Sequence, residues 1–191
     1  MDSRSPIYMY GRNAQLLASL AASDVRFVIV GGVAVQYHVP NRDADDLDLL
    51  IDPTERNAQL VIDAVNSGGI RWYSAAALEL AKRNVQWPIK CDYYVDILTP
   101  NEHTDFDMVW QTAVDAEVAH QPLPVKVRVA GVPALIAMKA ASQDPKHVRD
   151  VELLRKVLAS KHSPDYPLAS LLTTQAILAS PILRPKLKGS P

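Results

Sequence analysis

Apolar residues fall along this chain in two rhythms, one helical and one extended. Leu16, Leu17 and Leu20 recur at helical spacing and predict a helix over Asn13 to Ala22, ended by Ser23-Asp24. Val25 to Val30 is an unbroken apolar run rich in β-branched residues, which predicts a buried strand. It stops on Gly31-Gly32. Val33 to Tyr37 then predicts a short helix, Pro40-Asn41 a turn, and Leu47 to Ile51 a second strand. Asp52-Pro53-Thr54 reads as a turn and helix start, with Thr54 or Asp52 as cap. The helix it opens has Leu60, Val61, Ala64 and Val65 on one face and stops at Gly68-Gly69. Ser74 to Asn84 predicts another helix, with Ala77, Leu78 and Ala81 inward and Trp87-Pro88 as its breaker.

Tyr93 to Leu98 predicts a third strand, Pro100 to Asp105 a loop, and Phe106 to Ala113 a short helix. Val125 to Val129 alternates strictly and predicts a half-exposed strand. Pro133 suits the first turn of a helix running to Ala141. Asp144-Pro145 opens the next, with Val148, Val151, Leu154 and Leu158 as its buried stripe. Helices alternating with strands predict an α/β (α+β) class: a small mixed sheet flanked by helices. The expected organisation is a core over residues 1–130, a helical segment over 131–180 packed on it, and a disordered tail over 181–191. Leu168 to Leu178 would supply one more helix among the recurring prolines.

Composition narrows the classes of function. Twenty Lys and Arg stand against 21 Asp and Glu, for a net charge of -1, so no global basic field draws in nucleic acid or anionic membrane. Any RNA contact must come from a local patch. The single cysteine, Cys91, excludes an internal disulfide framework, suits a reducing cytoplasm and has no nearby histidine to activate it. No apolar run approaches the ~20 residues that span a bilayer. The first residues lack the apolar core of a signal peptide. The expectation is a cytoplasmic protein with no membrane partner.

The candidate chemistry lies around the second strand. Residues i and i+2 of a strand share a face, so Asp46 and Asp48 project side by side at its mouth. Two carboxylates that close repel, and the pair calls for water or a cation. Oxygen-only ligands favour a hard ion such as magnesium. A third carboxylate on a neighbouring strand completes a two-metal site for phosphoryl or nucleotidyl transfer. Asp96, alone inside an apolar run, is the candidate; Asp92, at the edge beside Cys91, is the weaker alternative. The bland rival is a solvated acidic turn made of Asp43, Asp45, Asp46 and Asp48. An EF-hand is excluded because its glycine and closing glutamate are missing.

Gly31-Gly32 ends a strand and precedes a helix, where free N–H groups favour phosphate. Arg42 either grips a phosphate or pairs with its acidic neighbours. Lys139 either faces a triphosphate or snorkels to solvent. His38 reads as structural or superficial, Arg149 and Asp150 as a helix-start ion pair, and Trp72, Trp87 and Trp110 as packing.

A pair of glycines at a strand end, a short helix, Asp-x-Asp opening the next strand and a later hydrophobic-Asp-hydrophobic strand resemble the DNA polymerase β-like nucleotidyltransferase superfamily. The resemblance is to its small prokaryotic members of the minimal, abortive-infection toxin and lincosamide-modifying types. It spans roughly Gly11 to Leu158 and includes GVPALIAMKAASQDPKHVRDVELL, where Lys139, Arg149 and Asp150 match a helical Lys and the motif opening the last helix. It implies Gly31 and Gly32 as phosphate holders, and Asp46, Asp48 and Asp96 as ligands of two magnesium ions. The implied activity moves a nucleoside monophosphate from a nucleoside triphosphate such as ATP to an acceptor hydroxyl of a small molecule, RNA or protein. Three positions depart from the pattern: Ala44 where Thr or Ser is common, Val39 where Gly follows the helix His, and His147 in place of Arg. They motivate an alternative, a catalytically lapsed binding or regulatory protein of toxin–antitoxin type, with a partner protein.

Overall fold

A computed structural model describes residues 7, 9, 11–44, 46–71, 75–90 and 93–161. Expectations for Cys91, Asp92, Asp45, Trp72, Leu168 to Leu178 and the tail lie outside these residues.

The helix α1 spans Asn13–Ala22, with Leu16, Leu17 and Leu20 buried as their spacing requires. Strand β1, Phe27–Val30, is buried along its whole length and passes directly into α2, Gly31–His38. Strand β2 is Leu47–Ile51. Helix α3, Glu55–Ser67, begins at Thr54, whose side chain accepts from the Asn57 N–H, and Gly68 caps its end. Asp52 serves the same turn by accepting from the Thr54 N–H, and it also pairs with Arg26. Helix α4 is the shorter Ala75–Leu80, and within it Leu78 is exposed, against the expectation that it faced inward. The remaining elements are β3 Gln86–Ile89, β4 Val95–Leu98, α5 Phe106–Thr112, β5 Val114–Val118, β6 Val125–Val129, α6 Val132–Ala140 and α7 Pro145–Lys161.

The strands form a six-stranded sheet in the order β3-β4-β2-β1-β6-β5. It is mixed: β2 lies antiparallel to β1 and parallel to β4, and β1 is parallel to β6. The two edges, β3 and β5, are antiparallel to their neighbours. The class is therefore the expected α/β. Helix α2 packs on β1, β2, α6 and α7, whereas α1 packs on α3 and β6, and α3 on α4. Leu47, Leu49, Ile51, Val95 and Ile97 have the parity opposite to Asp48 and Asp96, and all five are fully buried. Burial of such side chains, about 1.5–3 kcal/mol each, holds the strands that carry the acids.

Two further expectations are corrected. Trp87-Pro88 does not merely end a helix but lies in strand β3. Proline lacks a donor for the ladder, and β3 is an edge strand, the place in a sheet that tolerates it. Val148 is not part of the buried stripe of α7: it is 46% exposed, while Val151 and Leu154 are buried. Strand β5 had no counterpart among the predicted elements.

Two buried asparagines tie the framework together. Asn57 accepts from the Arg26 N–H (2.8 Å) and donates to the carbonyls of Arg26 and Asp52 (both 3.0 Å). Asn13 accepts from the Tyr94 N–H (3.0 Å) and donates to the Tyr94 carbonyl (3.2 Å), which also accepts from the Leu47 N–H. This second clamp fixes α1 to the point where β2 and β4 begin.

Candidate metal centre

Parallel pairing of β2 and β4 sets Asp48 directly beside Asp96. Directly paired residues share a face, so both carboxylates point the same way. Asp46, two residues before Asp48, joins them: one carboxylate oxygen from each of Asp46, Asp48 and Asp96 lies within 4.8 Å of the others. Asp96 is buried, at 7% exposure, and the other two are half-buried.

The β1–α2 junction presses on this group. Val30 is the antiparallel partner of Asp48, so the chain turns into α2 right over the carboxylate. Gly31 makes that turn with φ +62°, a left-handed conformation that favours glycine. A Cβ on Gly31 would stand 1.7 Å from Asp48 Oδ2 and 2.8 Å from Asp48 Cβ. The Gly32 N–H donates to the Asp48 carboxylate. Gly32 is confined from another side, since its Cβ would meet Arg42 at 3.1 Å and Ala44 at 3.3 Å.

The charges of the group strain Asp48. Burial, then the negative charges of Asp46 and Asp96, raise its pKa to about 6; the Lys139 charge and the Gly32 N–H pull the other way without cancelling them. A site that resists ionisation of its own carboxylate is short of positive charge. The donor set is all oxygen and contains no sulfur or imidazole, which suits a hard divalent cation. On both counts the residues fit a magnesium-type ion.

Asp96 is engaged from the edge strand. Gln86 Nε2 donates to Asp96 Oδ2 at 2.8 Å, and Lys90 Nζ lies 3.4 Å from Oδ1. Neither residue was among the predicted site residues. The signal was present: with β3 antiparallel to β4 and Pro88 opposite Asp96, Gln86 and Lys90 fall on its face by simple alternation.

Behind Asp48 lies a buried cluster of charge. Asp150, 2% exposed, receives Arg42 Nε at 3.1 Å and Arg42 Nη2 at 3.3 Å on one side, and Lys139 Nζ at 3.0 Å on the other. Arg42 also donates to the Asp43 carbonyl. Burial pushes the Asp150 carboxyl up, but the hydrogen bonds and charges of Arg42 and Lys139 outweigh it and hold it below the usual carboxylate range. Three readings change accordingly. Among the described residues, the acid that Arg42 pairs with is Asp150, 108 residues away. Lys139 is buried and does not snorkel. Asp150 pairs with these two, while Arg149 is exposed and forms no helix-start pair with it.

His38 is structural: its buried ring donates from Nε2 to the Ala130 carbonyl at 2.8 Å. His147 is half-buried, and its Nδ1 has no hydrogen-bond partner among the described residues. Burial, followed by the Lys139 charge, lowers its pKa. Trp110 packs, stacked on Phe106 with the Arg26 and Arg128 guanidinium groups over its ring. No helix among the described residues is long and apolar enough to cross a membrane.

No protein-family model matches this chain, and no curated protein matches it. Among solved structures it is similar to the crystal structure of an antigenic nucleotidyltransferase-like protein from Paracoccidioides brasiliensis. The two share 15% identity with a TM-score of 0.47, over 89% of this chain and 88% of that one. A likeness at this level assigns no activity, and the chemistry has to come from the residues.

Proposed function

We propose that this protein is a magnesium-dependent nucleotidyltransferase, moving a nucleoside monophosphate from a nucleoside triphosphate such as ATP to an acceptor hydroxyl. One observation carries the reading: three carboxylates from β2, its approach and β4 converge within 4.8 Å under a glycine turn that opens a helix. Two magnesium ions held by Asp46, Asp48 and Asp96 would supply Lewis-acid activation of the acceptor oxygen and charge neutralisation at the phosphates. In the transfer, the acceptor oxygen forms a bond to the α-phosphorus, the α–β phosphoanhydride bond breaks, and pyrophosphate leaves. Asp96 would serve the acceptor hydroxyl either as a ligand of the activating ion or as the base that takes its proton. Gly31 and Gly32 border the triphosphate with backbone alone, at a helix start that favours anions. Arg42 and Lys139 share one counter-charge, Asp150, so this cluster carries a surplus positive charge that would favour the phosphates. The acceptor is a small molecule, an RNA or a protein, and the cytoplasm is the compartment this chemistry suits.

The test is incubation with α-labelled nucleoside triphosphates, magnesium and a mixed set of hydroxyl-bearing acceptors, comparing wild type with Asp48→Asn and Asp96→Asn. Label transfer with pyrophosphate release, lost in both variants, is the expected result. A folded wild-type protein that binds magnesium and nucleotide yet labels nothing refutes the enzyme reading. It would favour the second one, a lapsed nucleotidyltransferase acting as a binding or regulatory protein toward a toxin–antitoxin partner. Contact of both Asp96 oxygens with protein groups, Gln86 and Lys90, is the observation on that side.

A further inference from the structure

The two contacts that Gln86 on β3 and Lys90 just after it make to Asp96 differ in kind. Gln86 donates at 2.8 Å, an ordinary hydrogen-bond length. Lys90 stands at 3.4 Å, beyond the ~2.7–2.9 Å of a tight ammonium–carboxylate hydrogen bond. Its side chain is 63% exposed, against 10% for Asp96. The amide is thus a fixed contact on one oxygen, and the ammonium is a loose charge on the other. Lys139, the other lysine acting on the group, is committed to Asp150. Lys90 therefore meets Asp96, one of the three carboxylates, on an exposed side chain.

We propose that Lys90 is a tethered counter-cation of the carboxylate cage, held at Asp96 Oδ1 until a divalent ion displaces it, while Gln86 is the positioning residue that holds Oδ2. The proposal rests on the metal-centre reading above. A divalent ion held by Asp46, Asp48 and Asp96 would compete with the ammonium for the Asp96 carboxylate, and the ammonium is the group that leaves. Leaving costs little, because an exposed lysine returns to water and the lost ion pair is worth at most about 1 kcal/mol. Entry of the metal and retention of Lys90 on Asp96 exclude each other, so Lys90 sets the ion concentration at which the cage fills.

Calorimetric titration with magnesium chloride and with manganese chloride tests this on wild type, Lys90→Met, Lys90→Arg, Gln86→Leu and Asp48→Asn. Melting of each protein in EDTA runs alongside. Removing the competing charge should tighten ion binding in Lys90→Met about twofold to fivefold. The same variant should melt earlier than wild type when metal-free. Lys90→Arg should stay within about twofold of wild type, and Gln86→Leu should bind more weakly. A generally damaged fold loosens ion binding, so tightening is a result that a structural role alone does not give. Equal or weaker binding by Lys90→Met, with wild type binding and Asp48→Asn not, overturns this proposal and leaves the metal centre standing. A wild-type protein that binds neither ion overturns both.

Discussion

Asp48 offers the sharpest quantitative test, because the metal-free site works against its own charge. Its pKa rises from the ordinary 3.8 to about 6. The difference, about 2.2 pK units at 1.36 kcal/mol each, corresponds to about 3 kcal/mol. The folded chain holds this proton more tightly than the unfolded chain does. The penalty is therefore small below pH 4, grows as pH rises from about 4 to about 6, and is fully present above that. Asp48→Asn keeps the shape and removes the charge. In EDTA at pH 7–8 the variant should be more stable than wild type by about 2–3 kcal/mol, or about 4–10 °C in melting temperature. Near pH 4 the gap should shrink to about 0.5 kcal/mol. Magnesium should reverse the order, since binding to the folded state stabilises wild type by mass action and the variant has lost a ligand. Chemical denaturation at several pH values, with and without magnesium, measures all of this. A variant that is no more stable than wild type at pH 8 without metal, or that keeps the wild-type pH slope, would refute the electrostatic account of the site.

Two other substitutions probe the parts that hold the acids in place. Gly31→Ala places a Cβ where Asp48 already stands and in a backbone conformation that costs roughly 1 kcal/mol by itself. Rotating the carboxylate clears its oxygens but not the Asp48 Cβ at 2.8 Å, so the backbone must shift. The expected loss is about 2–4 kcal/mol together with loss of magnesium binding, and a denaturation curve matching wild type would contradict it. Asp150→Ala leaves Arg42 and Lys139 buried without their counter-charge and should cost about 3–5 kcal/mol at neutral pH. The Asp150 carboxyl is held below its ordinary value, so its stabilisation is present above about pH 4 and fades as pH falls through the lower, folded value. Equal acid sensitivity of wild type and variant would count against the pairing.

Much of the centre is legible in the chain because it is written locally. Asp46 and Asp48 share a face through period-two alternation, and Gly31 announces the turn above them. The apolar runs around Leu47 to Ile51 and Tyr93 to Leu98 mark the strands that bring Asp96 alongside. What escaped is set by pairing across distance. Asp150 meets Arg42 across 108 positions, and no local pattern tells a buried acid from a helix-start one. The β3 contacts were hidden by Trp87-Pro88, a dipeptide that punctuates a chain in most settings but here lies on a tolerant sheet edge. Strand β5 was legible, since Val-Asp-Ala-Glu-Val alternates cleanly, but it is short and carries two acids. Its place is fixed by β6, with Val114 opposite Val129 and Val118 opposite Val125.

The Asp150 cluster has a consequence for helix α7. That helix brings the one carboxylate on which two cations from elsewhere in the fold, Arg42 before β2 and Lys139 on α6, both converge. Without α7 the two cations would lack their shared carboxylate; with it seated, one of their two charges is balanced. The seating of this helix therefore sets part of the charge that lies beside the glycine turn.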